Sequence, residues 1–238
     1  MFGQDGPGFG ELWRQAMSST RAGYDLLAPK FDATPFRTPD ALLEAVAGHL
    51  RAGPRIGSLL DVCCGTGAAV GHLGGLAERA VGLDFSPGML SEARRRLGDD
   101  PVELVLGDAM ALPYEAEFDL ITSFGAFGHI QPPQQAEFLR GVRRALKPGG
   151  RFVFVTAPPP GLTRPAFWVY RGFNAAMHVR NWLVDPPFMM FYFNFMLPDA
   201  LARLIEAGFR TETIPLGFAP RPALQLVIGH READDAAR

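Results

Sequence analysis

The sequence predicts an α/β fold: a doubly wound sheet of about seven strands, mostly parallel, ending in a C-terminal antiparallel hairpin. Three observations predict it. From Ile56 onward, short apolar runs alternate with helical segments, the pattern of a sheet covered on both faces. The first run passes into a helix through a turn of small residues, Cys63-Cys64-Gly65-Thr66-Gly67. The last two runs, 211–216 and 224–229, are separated only by residues 217–223, too few for a parallel crossover.

The elements follow in order. Residues 1–10 are glycine-rich and read as disordered. Residues 10–27 read as a first helix. The second is better marked: Thr38 caps, Pro39 takes the first helical position, and Leu43, Val46, Ala47 and Leu50 form one stripe. Gly53-Pro54 ends it. The strand runs are 58–63, 80–85, 102–106, 118–124 and 151–156, apolar on both faces as buried parallel strands are. Between them, Ser86 caps a helix with Pro87 next and Leu90, Ala93 and Leu97 on one face. Residues 132–146 form another, striped by Phe138, Leu139, Val142 and Leu146, with a glycine exit in Lys147-Pro148-Gly149-Gly150. A helix at 198–207, stopped by Gly208, precedes the hairpin. Residues 157–197, rich in proline and aromatics, fit no strand and read as an insertion over the carboxyl edge of the sheet. One domain is expected, with N-terminal helices at 1–55, a strand–helix core at 56–157, an insertion over the sheet edge at 158–197 and a terminal helix and hairpin at 198–238.

Composition narrows the function. The 238 residues are 47% apolar and 20% charged, as in ordinary globular proteins. A net charge of −2 with scattered arginines gives no basic face, so nucleic acid is not an expected partner. The two cysteines, Cys63 and Cys64, are adjacent, which fits neither a disulfide framework nor a zinc site and suits a reducing cytoplasm. The N-terminus has no secretory pattern, and the longest apolar stretch, 188–197, falls well short of the ~20 residues of a membrane span. A cytoplasmic protein without a metal is the expectation.

Three acids stand at strand ends. Asp61 precedes the glycine turn, where it would repel a pyrophosphate, and Val70 occupies the third-glycine position of a dinucleotide fingerprint. An acid there suits a ligand with an ammonium group and no phosphate. Asp84 ends the second run and suits ribose hydroxyls, with Phe85 next to pack on a base. Asp108 ends the third and can accept from an exocyclic amino group.

Read in order, Leu60-Asp61-x-x-Cys64-Gly65-Thr66-Gly67, Gly82-Leu83-Asp84-x-Ser86-x-x-Met89-Leu90, Gly107-Asp108-Ala109-x-x-Leu112-Pro113, Phe118-Asp119-Leu120-Ile121 and Leu146-Lys147-Pro148-Gly149-Gly150-Arg151 resemble the class I S-adenosylmethionine-dependent methyltransferases. Within them the chain is similar to the small-molecule group that includes the ubiquinone/menaquinone C-methyltransferases. The resemblance covers residues 56–156, and the terminal helix and hairpin in outline. It implies a Rossmann-like fold, S-adenosylmethionine as donor and S-adenosylhomocysteine as product. It places Asp61, Cys64, Gly65 and Gly67 around the methionine part of the donor, with Cys63 where the family usually has its first glycine. Asp84 takes the ribose hydroxyls, Phe85 lies beside the adenine, Asp108 and Ala109 meet it, and Ser123 lies under the methionine part. The segment from Tyr24 to Asp32 is similar to the aromatic lid of this group, so Tyr24 and Phe31 are expected to close over the cofactor.

Methyl transfer is an in-line displacement, and a phenol, enol or acidic carbon must also lose a proton. His129, after the fourth run, is the candidate base. The aromatics of the insertion, Trp168, Trp182, Phe191 and Tyr192 among them, suggest an apolar acceptor pocket. Plain core, a homodimer interface and an amphipathic membrane contact are the other readings of that segment. The expected reaction is methyl transfer to O or C of a small apolar or aromatic acceptor, natural-product or quinone-like. The alternatives are N- or carboxyl-methylation of a polar small molecule, and a non-catalytic donor-binding assembly module.

Overall fold

A computed structural model describes residues 6–219 and 221–233. Strands β1 (Ile56–Val62), β2 (Ala77–Asp84), β3 (Val102–Leu106), β4 (Phe118–Thr122), β5 (Leu146–Thr156), β6 (Arg210–Pro215) and β7 (Gln225–His230) form one sheet. Their order is β3-β2-β1-β4-β5-β7-β6. The first five run parallel, and β7 is antiparallel to both β5 and β6. The strand order reverses between β1 and β4, and the crevice outside their carboxyl ends is where such sheets bind ligands.

Helices α3 (Asp40–Arg51), α4 (Ala68–Leu73) and α5 (Pro87–Leu97) cover one face; α6 (Pro132–Ala145) and α8 (Asp199–Glu206) cover the other. Alternation along β1 supplies both layers. Leu59 joins Val46, Val70 and Leu120, while Leu60 and Val62 join Phe138, Val142 and Leu204, all buried. This double cover is what makes the central strands apolar on both faces.

Several boundaries differ from the sequence reading. The first helix is two, α1 (Phe9–Ala16) and α2 (Thr20–Leu27), because Ser19 is extended and its side chain accepts from the Ala22 amide, starting a new helix. Phe9 and Gly10 therefore lie in a helix, while the expectation for residues 1–5 falls outside the described residues. Pro39 is the extended residue before α3, in place of Thr38. On α5 the buried residues are Met89, Ala93 and Leu97, with Leu90 half-buried. α6 stops at Ala145; Leu146 already pairs with Phe118, so Gly149, at φ 79°, turns the chain inside β5 rather than ending the helix. Strand β3 is not doubly buried, since it forms the sheet edge and leaves Leu106 55% exposed. Residues 157–197 contain a 19-residue helix, α7 (Pro165–Leu183).

A candidate cofactor cleft at the carboxyl edge of the sheet

The turn after β1 is built on left-handed backbone. Gly65 and Gly67 take φ of 54° and 77°, and Cys63, where the family usually has glycine, takes 59° despite its side chain. At Gly67 a Cβ would also come within 3.2 Å of Ala93, so the bare backbone lets α4 start against α5. Cys64 lies against a second bare position, Gly82 of β2, where a Cβ would stand 3.0 Å from the Cys64 Sγ.

Two buried acids face this turn. Asp84 is 5% exposed; its carboxylate accepts from the amides of Gly65 and Ser86, both at 2.9 Å, tying the β1 turn to the start of α5. Burial pushes its carboxyl up, and those backbone donors oppose the shift. Asp61 is 1% exposed and accepts from the Thr122 hydroxyl at 2.7 Å. Burial pushes it up to about 7, with the nearby Asp84 charge adding and the Thr122 hydroxyl and Val70 amide opposing. Among the described residues neither acid has a cationic partner.

The N-terminal lid is latched onto this floor by two aspartates. Asp25 accepts from the Ser86 hydroxyl at 2.6 Å and the Gly88 amide at 2.9 Å. Asp32 accepts from the Thr66 hydroxyl at 2.6 Å and from Arg96 at 2.7 Å. Tyr24 and Phe31, their rings 6.1 Å apart, are thereby held over the turn. The Tyr24 hydroxyl donates to His129 Nε2 at 2.7 Å, and His129 Nδ1 donates to the Met189 carbonyl. The carbonyl fixes the proton on Nδ1 and leaves Nε2 as the acceptor. Burial holds His129 below its usual value, opposed by the Met189 carbonyl, and burial raises Tyr24.

These groups enclose a cleft with about 740 Å³ of empty space, mouth included. Of the residues expected at a cofactor, Tyr24, Phe31, Asp61, Cys63, Cys64, Gly65, Asp84 and Phe85 line it, and so does His129. Gly67 sits behind the wall as the residue before α4. Asp108 is exposed and accepts from the Met110 amide, capping the short turn Ala109–Ala111 away from the lining. Ser123 is fully buried, its hydroxyl without a partner in the described structure. Missed by the sequence reading are Phe36, Arg37, Thr38 and Phe124 in the wall, and the roles of Asp25, Asp32 and Thr66. The repeated aromatic-Asp pair, Tyr24-Asp25 and Phe31-Asp32, is the signal that was there to be used.

The aromatics expected at the acceptor are elsewhere. Trp168 and Trp182 are 63% and 84% exposed on the outer side of α7. Phe191 is buried with Met177 and Phe188, and Tyr192 stacks on Tyr170 at 4.3 Å. None of the four lines the cleft. The reason is that α7 carries apolar residues on two sides: Phe173 and Met177 pack toward residues 188–191, and its tryptophans are left on the other side.

Comparison with known proteins agrees with this architecture. Residues 59–150 match the family model described as a methyltransferase domain. The chain is 35% identical over 162 residues to the demethylmenaquinone methyltransferase of Oceanobacillus iheyensis, covering 63% of this chain and 57% of that protein. It is 42% identical over 124 residues to the demethylmenaquinone methyltransferase of Clavibacter sepedonicus, covering 50% and 48%. It thus spans about half the length of the curated relatives it matches. Among solved structures, the DhpI–SAH complex superposes with a TM-score of 0.69 at 23% identity, over 92% of this chain and 98% of that one. In sheet order, glycine turn and matched domain, the chain is similar to the class I S-adenosylmethionine-dependent methyltransferases, and residues 59–150 form a methyltransferase domain.

Proposed function

We propose that this chain transfers the methyl group of S-adenosylmethionine to an oxygen or carbon of a small apolar or aromatic acceptor, releasing S-adenosylhomocysteine. One observation carries the reading: a single cleft is lined both by an acid that has no cationic partner among the described residues, Asp61, and by a hydrogen-bonded phenol and imidazole, Tyr24 and His129. The residues present suit the donor. Asp61 answers an ammonium group, and ionises as it does so. Asp84 keeps lone pairs for ribose hydroxyls beyond the two amides it already holds. Cys63, Cys64 and Gly65 bring main chain to the ligand, and Phe85 offers a ring to a base. When bound, the donor supplies an activated methyl group on a sulfonium.

The protein's own task is then alignment, exclusion of water and removal of a proton. The lid, held by Asp25 and Asp32, closes the cleft from above. An acceptor hydroxyl or acidic C–H gives its proton to the Tyr24 oxygen as the Tyr24 proton passes to His129 Nε2. The imidazolium so formed keeps its Nδ1–H on the Met189 carbonyl. Because burial holds His129 low, the imidazole is neutral and ready to accept at pH 7. The relatives' naming as demethylmenaquinone methyltransferases supports an aromatic, quinol-like acceptor.

The test is a transfer assay with methyl-labelled S-adenosylmethionine and a whole-cell metabolite extract, label being counted in organic and aqueous phases. The expected result is label in the organic phase, lost in Tyr24→Phe. Label confined to the aqueous phase would replace the apolar acceptor with a polar one. No label, with donor binding intact, would leave a binding module as the account.

A further inference from the structure

The outer side of α7 is apolar from end to end. Trp168, Val169, Val179, Trp182 and Leu183 are 63%, 65%, 55%, 84% and 66% exposed. They recur at helical spacing, and the positions between them on that side are glycine and alanine. α1 adds a second stripe at i, i+4 and i+8: Phe9 at 79%, Trp13 at 60% and Met17 at 38%. Arg180 joins the two helices, donating from Nε to the Ala16 carbonyl at 2.7 Å and from Nη2 to the Ser18 carbonyl at 2.9 Å. Tryptophans at both ends of an exposed apolar helix face are not a normal free surface; patches of this size mark a partner or a membrane.

Charge decides between them. Residues 157–184 hold Arg164, Arg171 and Arg180 and no acid, in a chain whose net charge is −2; the neighbouring acids are Asp185, just past the helix, and Glu11 of α1, which is paired with Lys30 at 2.8 Å. Arg164 and Arg171 are exposed beside the stripe, as are Arg14 and Arg21 near the α1 stripe. A second copy laid against the same face would set arginine against arginine. An anionic lipid surface instead meets the apolar stripe with its acyl boundary and the arginines with its headgroups. No helix among the described residues is long and apolar enough to cross a membrane, so the contact lies in the plane of the interface.

We infer that α7 and α1 dock this chain onto membrane surfaces rich in anionic lipid. The surface stands directly behind the cleft. The inner side of α7 packs Phe173 and Met177 against Phe188, and Phe188 stacks on Tyr24 with ring centres 6.3 Å apart. Docking therefore brings the Tyr24–His129 side of the cleft to the layer where apolar small molecules concentrate. This goes beyond the methyltransferase reading and does not depend on it.

The experiment is co-sedimentation of the purified chain with vesicles of phosphatidylglycerol and phosphatidylcholine, and with vesicles of phosphatidylcholine alone. Partition is expected to be at least about tenfold stronger onto the anionic vesicles and to fall with added salt. Trp182→Asp, at the more exposed of the two tryptophans, should lower it by at least about tenfold with donor affinity unchanged; Trp168→Asp should lower it as well, and also removes the hydrogen bond from its indole to the Leu162 carbonyl. Arg171→Glu should remove most of the anionic preference. Equal or absent binding to the two vesicles would overturn the inference. So would a dimer in sedimentation velocity that Trp182→Asp dissolves, which would make the face an interface between copies. Donor binding is measured without vesicles, so failure here leaves the reading of the cleft standing, and the reverse.

Discussion

The hydroxyl of Tyr24 lies 2.7 Å from Nε2 of His129, joining the N-terminal lid to the loop after β4. The two rings meet edge to face at 5.1 Å. Sequence reasoning gives these residues separate tasks, one closing over the cofactor and one acting as base. The geometry makes them one unit: the basic nitrogen of His129 is reached through the Tyr24 oxygen.

Tyr24→Phe is therefore expected to act on turnover more than on donor binding. It removes the proton path and leaves Nε2 unpartnered. Turnover should fall by about 10²–10⁴, with donor affinity changed only slightly. The pH profile follows from the depressed His129 value. In the wild type, activity should rise from acid pH and level off below the ordinary histidine value of about 6.5. The fold responds with the same sign. The neutral imidazole's contribution is complete above about 6.5 and is lost as pH falls through the folded value. His129→Gln should flatten that part of a Tm-versus-pH curve; an unchanged curve would return His129 to a passive role.

Asp61 couples donor binding to protons. With its carboxyl pushed up to about 7, the free protein holds Asp61 largely protonated at pH 6. A cationic ligand must displace that proton, so affinity should be about tenfold weaker at pH 6 than on the plateau above 7. Calorimetry in buffers of different ionisation enthalpy should show proton release at pH 6. Stability runs the other way. A carboxyl raised in the folded state contributes most below its unfolded value near 3.9, and that contribution is lost as pH rises through about 7. Asp61→Asn should therefore raise Tm at pH 8 while weakening donor binding by about 1.5–3 kcal/mol. A variant that loses both stability and affinity would contradict this separation.

The two lid aspartates predict a local effect. Removing both, as Asp25→Ala with Asp32→Ala, takes away the acceptor for the first turn of α5 and the partner of Thr66. Each is worth about 1 kcal/mol by analogy with helix caps. Limited trypsin cleavage within residues 14–37 should accelerate by roughly tenfold or more while the core transition stays cooperative. Cleavage at the wild-type rate would mean that packing alone holds the lid.

How far the sequence could be read depended on whether a signal was local. β1, β2 and β4 were visible because burial on both faces leaves an apolar run, and Asp61 and Asp84 because strand ends are marked by the turns that follow. β5 was only half visible: Lys147-Pro148-Gly149-Gly150 has the composition of a helix exit, and only the pairing of Leu146 with Phe118 shows it to be strand. α7 showed no period because both of its sides are apolar. The roles of Asp25 and Asp32 were not legible, since Ser86, Gly88 and Thr66 are brought to them by tertiary structure.

Gly82 lies behind the cleft lining, against Cys64. In Gly82→Ala the new methyl would stand 3.0 Å from Cys64 Sγ and from Leu104, and should cost about 1–3 kcal/mol of stability. The strain should reach the donor, because Cys64 lines the cleft. Adding Cys64→Ala should recover part of both losses. A double-mutant cycle that sums without coupling would show that the two positions do not press on one another.

The central claim is that the cleft between Asp61 and Asp84 holds S-adenosylmethionine, and direct titration of the purified chain tests it. The account predicts saturable one-to-one binding of S-adenosylmethionine and of S-adenosylhomocysteine. It predicts that Asp84→Asn weakens both by about tenfold or more while the fold is kept. Absence of binding in the wild type, or affinity indifferent to Asp84, would contradict it.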